Sequence, residues 1–181
     1  MPSLDRPIRR CLPRLLPAAL VLCLGGMAWG ATRATDMVLA KAVPEDGVAV
    51  NLRKGEYQEA LRQVTAKLEN PQENAALRLY ECGLAQFQLG VAKHDEGMIK
   101  DAGLSFMRVV IYFGRAGGAS PYYGPALIGA GQVFQQLNRP DLAVALYRQS
   151  RDVVSSDSDA PLAALRDELL QGLAPEKKPA P

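Results

Sequence analysis

The chain is poor in the residues that carry chemistry. It holds one histidine, three cysteines and one tryptophan, and aromatics make up only 6% of it. Cys11, Cys23 and Trp29 all fall within the first 30 residues, so Cys82 stands alone beyond them. One cysteine makes neither an intramolecular disulfide nor a metal site. Its place inside an apolar-periodic stretch reads as a small buried packer. His94 sits between Lys93 and Asp95 in a polar stretch, with no further ligands at helical spacing, and reads as a solvated residue rather than a metal ligand or base. Asp157 and Asp159 lack the alternating ligands and trailing glutamate of a calcium loop. Gly114-Arg115-Ala116-Gly117-Gly118 has no preceding strand and no Gly-Lys-Ser/Thr, so it is not a phosphate loop. No nucleophile elbow is present. The sequence therefore offers no catalytic residue, no metal site and no cofactor site.

Charge of one sign is also missing once the N-terminus is set aside. Arg6, Arg9, Arg10 and Arg14 are crowded at the start. From Ala31 onward there are 17 Lys+Arg and 18 Asp+Glu, a net charge of −1. No basic stripe remains for nucleic acid. Long apolar runs are absent too. Leu15 to Met27 is apolar but shorter than the ~17 residues that span a bilayer comfortably. Together with the preceding arginines and the small residues of Ala28-Trp29-Gly30, it reads as an export signal cleaved after Gly30. The alternative is an uncleaved anchor, which would put the chain on a membrane. Neither the residues around Arg9-Arg10 nor Leu22 ahead of Cys23 support a twin-arginine or lipoprotein route.

What is present is helical pattern. Apolar residues are 48% of the chain and charged residues 22%, an ordinary globular balance. Residues 31–46 are weakly patterned, with a short helix possible over 36–42 and Pro44 and Gly47 as breakers. Tyr57, Ala60, Leu61, Val64 and Leu68 recur at three- and four-residue spacing. A second helix is expected from Asn70, with Asn70 as cap and Glu73 as its capping-box partner, to Leu89, where Gly90 ends it. A third is expected from Glu96 to Phe113 with Val109-Val110-Ile111-Tyr112-Phe113 as its buried end, then a glycine-rich loop. A fourth follows Ser120-Pro121 to about Leu137, a fifth opens at Pro140-Asp141, and a sixth runs from Ala160 to Leu173. The tail from 174 to 181 is proline-rich and charged, and is expected to be disordered.

Two stretches share a phase. Leu127, Gly131, Asn138, Ala143 and Tyr147 form one series. Leu79, Gly83, Gly90, Ala102 and Phe106 form another, if about seven extra residues are allowed within Val91 to Asp101. Gly55, Ala60 and Pro71 match the second half of a further unit whose first helix is degraded by Pro44 and Gly47. On these residues the chain resembles the tetratricopeptide repeat family, over roughly residues 47 to 155. The resemblance implies an all-α solenoid of antiparallel helix pairs, about six helices, occupying 47–173 behind a signal peptide (1–30) and a poorly structured lead (31–46). A generic helical bundle is the alternative. Gly83, Gly131, Ala60 and Ala143 are placed at helix crossings, with Phe106 and Tyr147 filling the space beside them.

The resemblance also implies a function: an exported, periplasmic or secreted scaffold that holds a protein or peptide on the concave face lined by the first helix of each pair. On that face the expected partner-binding residues are Tyr80, Leu84, Phe87 and Gln88, with Ile128, Gln132, Gln135 and Gln136. Apolar and amide side chains there suit an extended or helical peptide. The carboxylate-clamping Lys, Arg and Asn of some family members are not present. Tyr80, Leu84 and Phe87 read equally as core, and a homo-oligomer that buries the groove is the second functional reading.

Overall fold

The computed structural model describes residues 38–70, 72–113 and 120–173, and every described residue outside the turns is helical. Residues 38–41, the first that are described, are helical. Seven helices follow: α1 (Gly47–Lys54), α2 (Tyr57–Leu68), α3 (Ala75–Lys93), α4 (Glu96–Arg108), α5 (Tyr123–Gln136), α6 (Pro140–Ser150) and α7 (Ala160–Gly172). A π-helical turn, Val109–Phe113, continues α4. The expected signal peptide, the glycine-rich loop at 114–119 and the tail at 174–181 lie outside the described residues.

Three tight turns organise the chain. Gly55, His94 and Asn138 end α1, α3 and α5, and each has a positive φ, of 80°, 54° and 57°. In each turn the following amide reaches back five residues: Glu56 N–H to Asn51 O at 2.9 Å, Asp95 N–H to Gly90 O at 2.8 Å, and Arg139 N–H to Phe134 O at 2.8 Å. This left-handed cap satisfies carbonyls that a helix end leaves open and reverses the chain in two or three residues. The helices therefore come as hairpins: α1/α2, α3/α4 and α5/α6. Each helix packs on the next in sequence, α1 also meets α3, α3 also meets α5, and the π-helical turn lies against α3 and α5. Among the described elements these are the substantial contacts.

Small residues set the closeness of two hairpins. A Cβ on Gly83 would fall 2.7 Å from the Phe106 ring, and a Cβ on Gly131 would collide with the Tyr147 ring. Ala60 and Ala143 are fully buried at the matching places on α2 and α6. One contiguous core runs through all of them, from Leu39 and Val43 through Tyr80, Phe106 and Tyr147 to Leu162 and Leu165.

The structure corrects several expectations. The first helix is short, 8 residues against 19 in α3 and 14 in α5, but Gly47 begins it rather than breaking it: Asp46 caps α1 by accepting from the Val48 and Ala49 amides at 3.0 and 3.1 Å. The lead is not poorly structured where it is described, because Leu39 and Val43 are core residues. The cap of α3 is Asn74, which accepts from Leu77 N–H at 3.1 Å, while Asn70 closes a turn with Gln72. Gly90 does not end α3; it lies one turn inside it, where a Cβ would meet Ile99 at 2.7 Å. Nor are the seven extra residues an inserted loop. α3 has 19 residues against 14 in α5, and α4 with its π turn has 13 and 5 against 11 in α6. Seven residues are about two helical turns, so one added turn on each arm lengthens the hairpin without rotating its faces. The end of α4 buries Val109 but leaves Ile111 and Tyr112 in solvent. α5 starts at Tyr123, two residues later than the Ser120-Pro121 signal, with Ser120 Oγ accepting from the Tyr122 amide at 3.3 Å.

Candidate functional site

α3 is the pivot of the molecule. Between residues 76 and 90 only Leu79 and Gln86 reach solvent appreciably. Tyr80 is wholly buried, with its ring 5.8 Å from both Phe106 and Tyr122 and stacked on the latter. Its hydroxyl donates to the Leu39 carbonyl at 3.0 Å. Burial holds that hydroxyl well above its ordinary pKa, with the Asp159 carboxylate at the head of α7 adding to the effect. Tyr80, on the side of α3 that the sequence offers to a partner, is thus enclosed by α4, Tyr122 and the chain's own lead.

That decides most of the expected partner-binding residues. Tyr80, Leu84, Phe87, Gln88 and Ile128 are buried, and a partner cannot touch them in this conformation. The apolar stripe of α3 is wide because it meets α2, α4, α5 and the lead at once, so periodicity alone could not separate groove from core. Gln132 is half-buried, and Gln135 and Gln136 are exposed. Gln135 accepts from the Tyr147 hydroxyl at 3.1 Å. Gln136 lies beside a shallow depression of about 350 Å³ where the α3/α4 and α5/α6 turns adjoin, lined also by His94, Glu96, Ile99, Leu137 and Asn138. The structure thus brings the amides of α5 together at an open edge and separates them from the buried half of the set.

A buried charge cluster, absent from the sequence reading, ties the cap of α1 to α2 and α3. Arg78 on α3 donates through Nη1 to Asp46 at 2.7 Å and to Glu81 at 2.7 Å, and pairs through Nη2 with Glu73 at 2.8 Å. Lys67 from α2 reaches the same Asp46 oxygen at 2.6 Å. Burial works against the Asp46 anion, but bonds from Lys67, the Ala49 amide and Arg78 hold its carboxyl down at about 2. Glu81 is 0% exposed and its second oxygen has no hydrogen-bond partner. Burial pushes its carboxyl up to about 7, even though Arg78 pulls the other way. Cys82, next in the chain, is buried as a packer, and burial raises its thiol. The spacing of Leu39 and Val43, followed by Asp46-Gly47, was the available signal for this cluster's neighbourhood: one apolar turn, then a cap.

Elsewhere, exposed apolar side chains gather near the end of α4, where Leu104 is 58% and Tyr112 68% exposed, with Ile111 between them in chain order. Among the described residues no group of three or more His, Cys, Asp or Glu is placed to hold a metal, and no helix is long and apolar enough to cross a membrane. No protein-family model, curated protein or solved structure matches the chain.

Proposed function

We propose that the chain is an exported interaction scaffold, a tetratricopeptide-like solenoid that holds a protein or peptide partner and performs no catalysis. The observation that carries this reading is the threefold recurrence of one hairpin. After Gly55, His94 and Asn138 the next amide, of Glu56, Asp95 and Arg139, makes the same five-residue back-bond at the end of the first helix of each pair. The first helices also meet one another, α1 with α3 and α3 with α5. Units that touch only their neighbours build a linear stack, and such stacks serve as extended docking surfaces. The N-terminal arginines and the apolar stretch after them support export to the periplasm or beyond. On this reading the open part of the inner face is the amide edge of α5, Gln135 and Gln136 beside the half-buried Gln132, which suits the backbone groups of a bound peptide.

The test is capture from native envelope extract with residues 31–181, beside a Gln132→Ala/Gln136→Ala variant and a Leu104→Ser/Tyr112→Ser variant. One discrete protein, lost with the glutamine variant and kept with the other, is the expected result. Recovery of the chain itself and nothing else contradicts the scaffold reading.

A further inference from the structure

Among the described residues two buried side-chain oxygens have no hydrogen-bond partner, Glu81 Oε1 and Gln132 Oε1. An amide oxygen left so is a modest penalty. A carboxylate at 0% exposure is a larger one, unless the group carries a proton.

The other Glu81 oxygen is bound in a way that couples it to α1. Arg78 Nη1 donates to Glu81 Oε2 and to Asp46 Oδ2, each at 2.7 Å, so one nitrogen serves two carboxylates. Asp46 is also where three helices join. Its Oδ1 accepts from the Val48 and Ala49 amides at the start of α1, and its Oδ2 meets Lys67 of α2 and Arg78 of α3. Whatever changes the claim of Glu81 on Arg78 therefore changes the bond that ties the α1 cap to α3.

The charges around Glu81 come from several elements. Asp46 lies at the cap of α1, Lys67 on α2, Arg78 on α3 and Glu73 just ahead of α3. At the cap of α5 stands the Tyr122 hydroxyl, raised by burial and then by the Glu81 carboxylate. Asp101 and Arg108 of α4 act on Cys82, and Asp159 at the head of α7 acts on Tyr80. In the lead, Glu45 pairs with Arg53 at the surface and Lys41 is exposed. With Glu81 ionised the cluster sets three carboxylates against two cations; with Glu81 protonated it is balanced.

We propose that Glu81 is a proton-operated joint between the first hairpin and α3. Protonated, it leaves Arg78 to Asp46 and holds the α1 cap against α3. Ionised, it takes Arg78 and loosens that cap. A fully buried anion has the stronger claim on the guanidinium, because Asp46, with 25% of its side chain exposed, keeps Lys67 and water. Burial pushes the Glu81 carboxyl up to about 7, above the ordinary 4.5. The closed joint is therefore fully stabilised below about 4.5 and loosens as pH rises through 7. Asp46, at about 2 despite its burial, is ionised across that window and adds no slope. This inference does not depend on the scaffold reading.

Hydrogen exchange of the purified protein and of Glu81→Gln tests it. The variant keeps an acceptor for Arg78 and has no proton to lose. Comparing the two at one pH cancels the intrinsic exchange rate of each amide. From pH 5 to pH 8 the parent-to-variant protection of the α1 amides, 50–54, should fall at least ~10-fold, since each pKa unit between closed and open states is a tenfold change. The α6 amides, 144–150, should fall less than ~3-fold, because the joint is local. Unchanged α1 protection overturns the proposal. An equal fall at α1 and α6 overturns it too, by making Glu81 act on the whole fold. Carboxyl and guanidinium NMR of the parent gives a second measurement, which decides alone if the variant does not fold. Glu81 titrating near 7, with the Arg78 Nη signals shifting at the same midpoint, is the expected result. A Glu81 midpoint in the ordinary carboxylate range, or Arg78 signals that ignore it, would overturn the joint.

Discussion

Glu81 is a carboxyl with no route to water, one oxygen on Arg78 and the other on nothing. Its pKa of about 7 lies above the unfolded value of 4.5, so the folded chain holds the proton more tightly. Stability contributed this way is fully present below about 4.5 and is lost as pH rises towards 7. For a group this buried the loss approaches about 3 kcal/mol. Asp46 works in the opposite sense. Its depressed pKa stabilises the fold above about 4, and that contribution disappears as pH falls towards 2. The chain should therefore melt at a higher temperature at pH 5 than at pH 8. Glu81→Gln keeps an acceptor for Arg78 but removes the titration, so its melting temperature should be nearly flat between those two values. Thermal melts of both proteins check this, and a slope in the variant equal to the parent's would show that Glu81 is not its source.

The hairpin arms and turns are the next scale up. Of the three left-handed turn residues, only Gly55 is of the type that adopts that conformation freely; Asn138 tolerates it and His94 does not favour it. His94→Gly should therefore stabilise the chain by about 0.5–1 kcal/mol, and Asn138→Gly by less. Denaturant midpoints measure both, and a destabilised His94→Gly would contradict the role of that turn. Gly83→Ala should destabilise by about 1–2 kcal/mol despite its better helix propensity, because its Cβ enters the Phe106 ring. Pairing it with Phe106→Leu should recover part of that loss, and strict additivity of the two changes would argue against direct contact. Several of these features were legible in the residues. The crossings of Gly83 with Phe106 and of Gly131 with Tyr147 are written in their spacing, and Asp159 caps α7 by accepting from the Leu162 amide. Others were hidden by residues with two meanings. Gly90 signals a helix end as readily as a close approach. Asn70 and Asn74 are both capping residues four apart. Pro44 and Gly47 read as breakers, yet between them stands Asp46, whose cap begins α1. The groove was hardest, because a stripe buried on four sides and a stripe open on one have the same period.

At the scale of the molecule, one core joins three like hairpins and a lead bonded to Tyr80 of the middle one. The core is contiguous, but its contacts pass from each unit to the next, so stability should be distributed along the chain rather than held at one centre. The buried half of the sequence-read groove belongs to the core, and Gln135 and Gln136 remain exposed on α5. Holding a partner on that surface is the central claim, and it is best tested where the protein works. A photo-cross-linking amino acid placed at Gln136, with Glu168 on α7 as the exposed control position, reports what touches each face in living cells. The account predicts one discrete cross-linked protein from position 136 and none from position 168. No product from position 136, or a product made only of this chain, would contradict it.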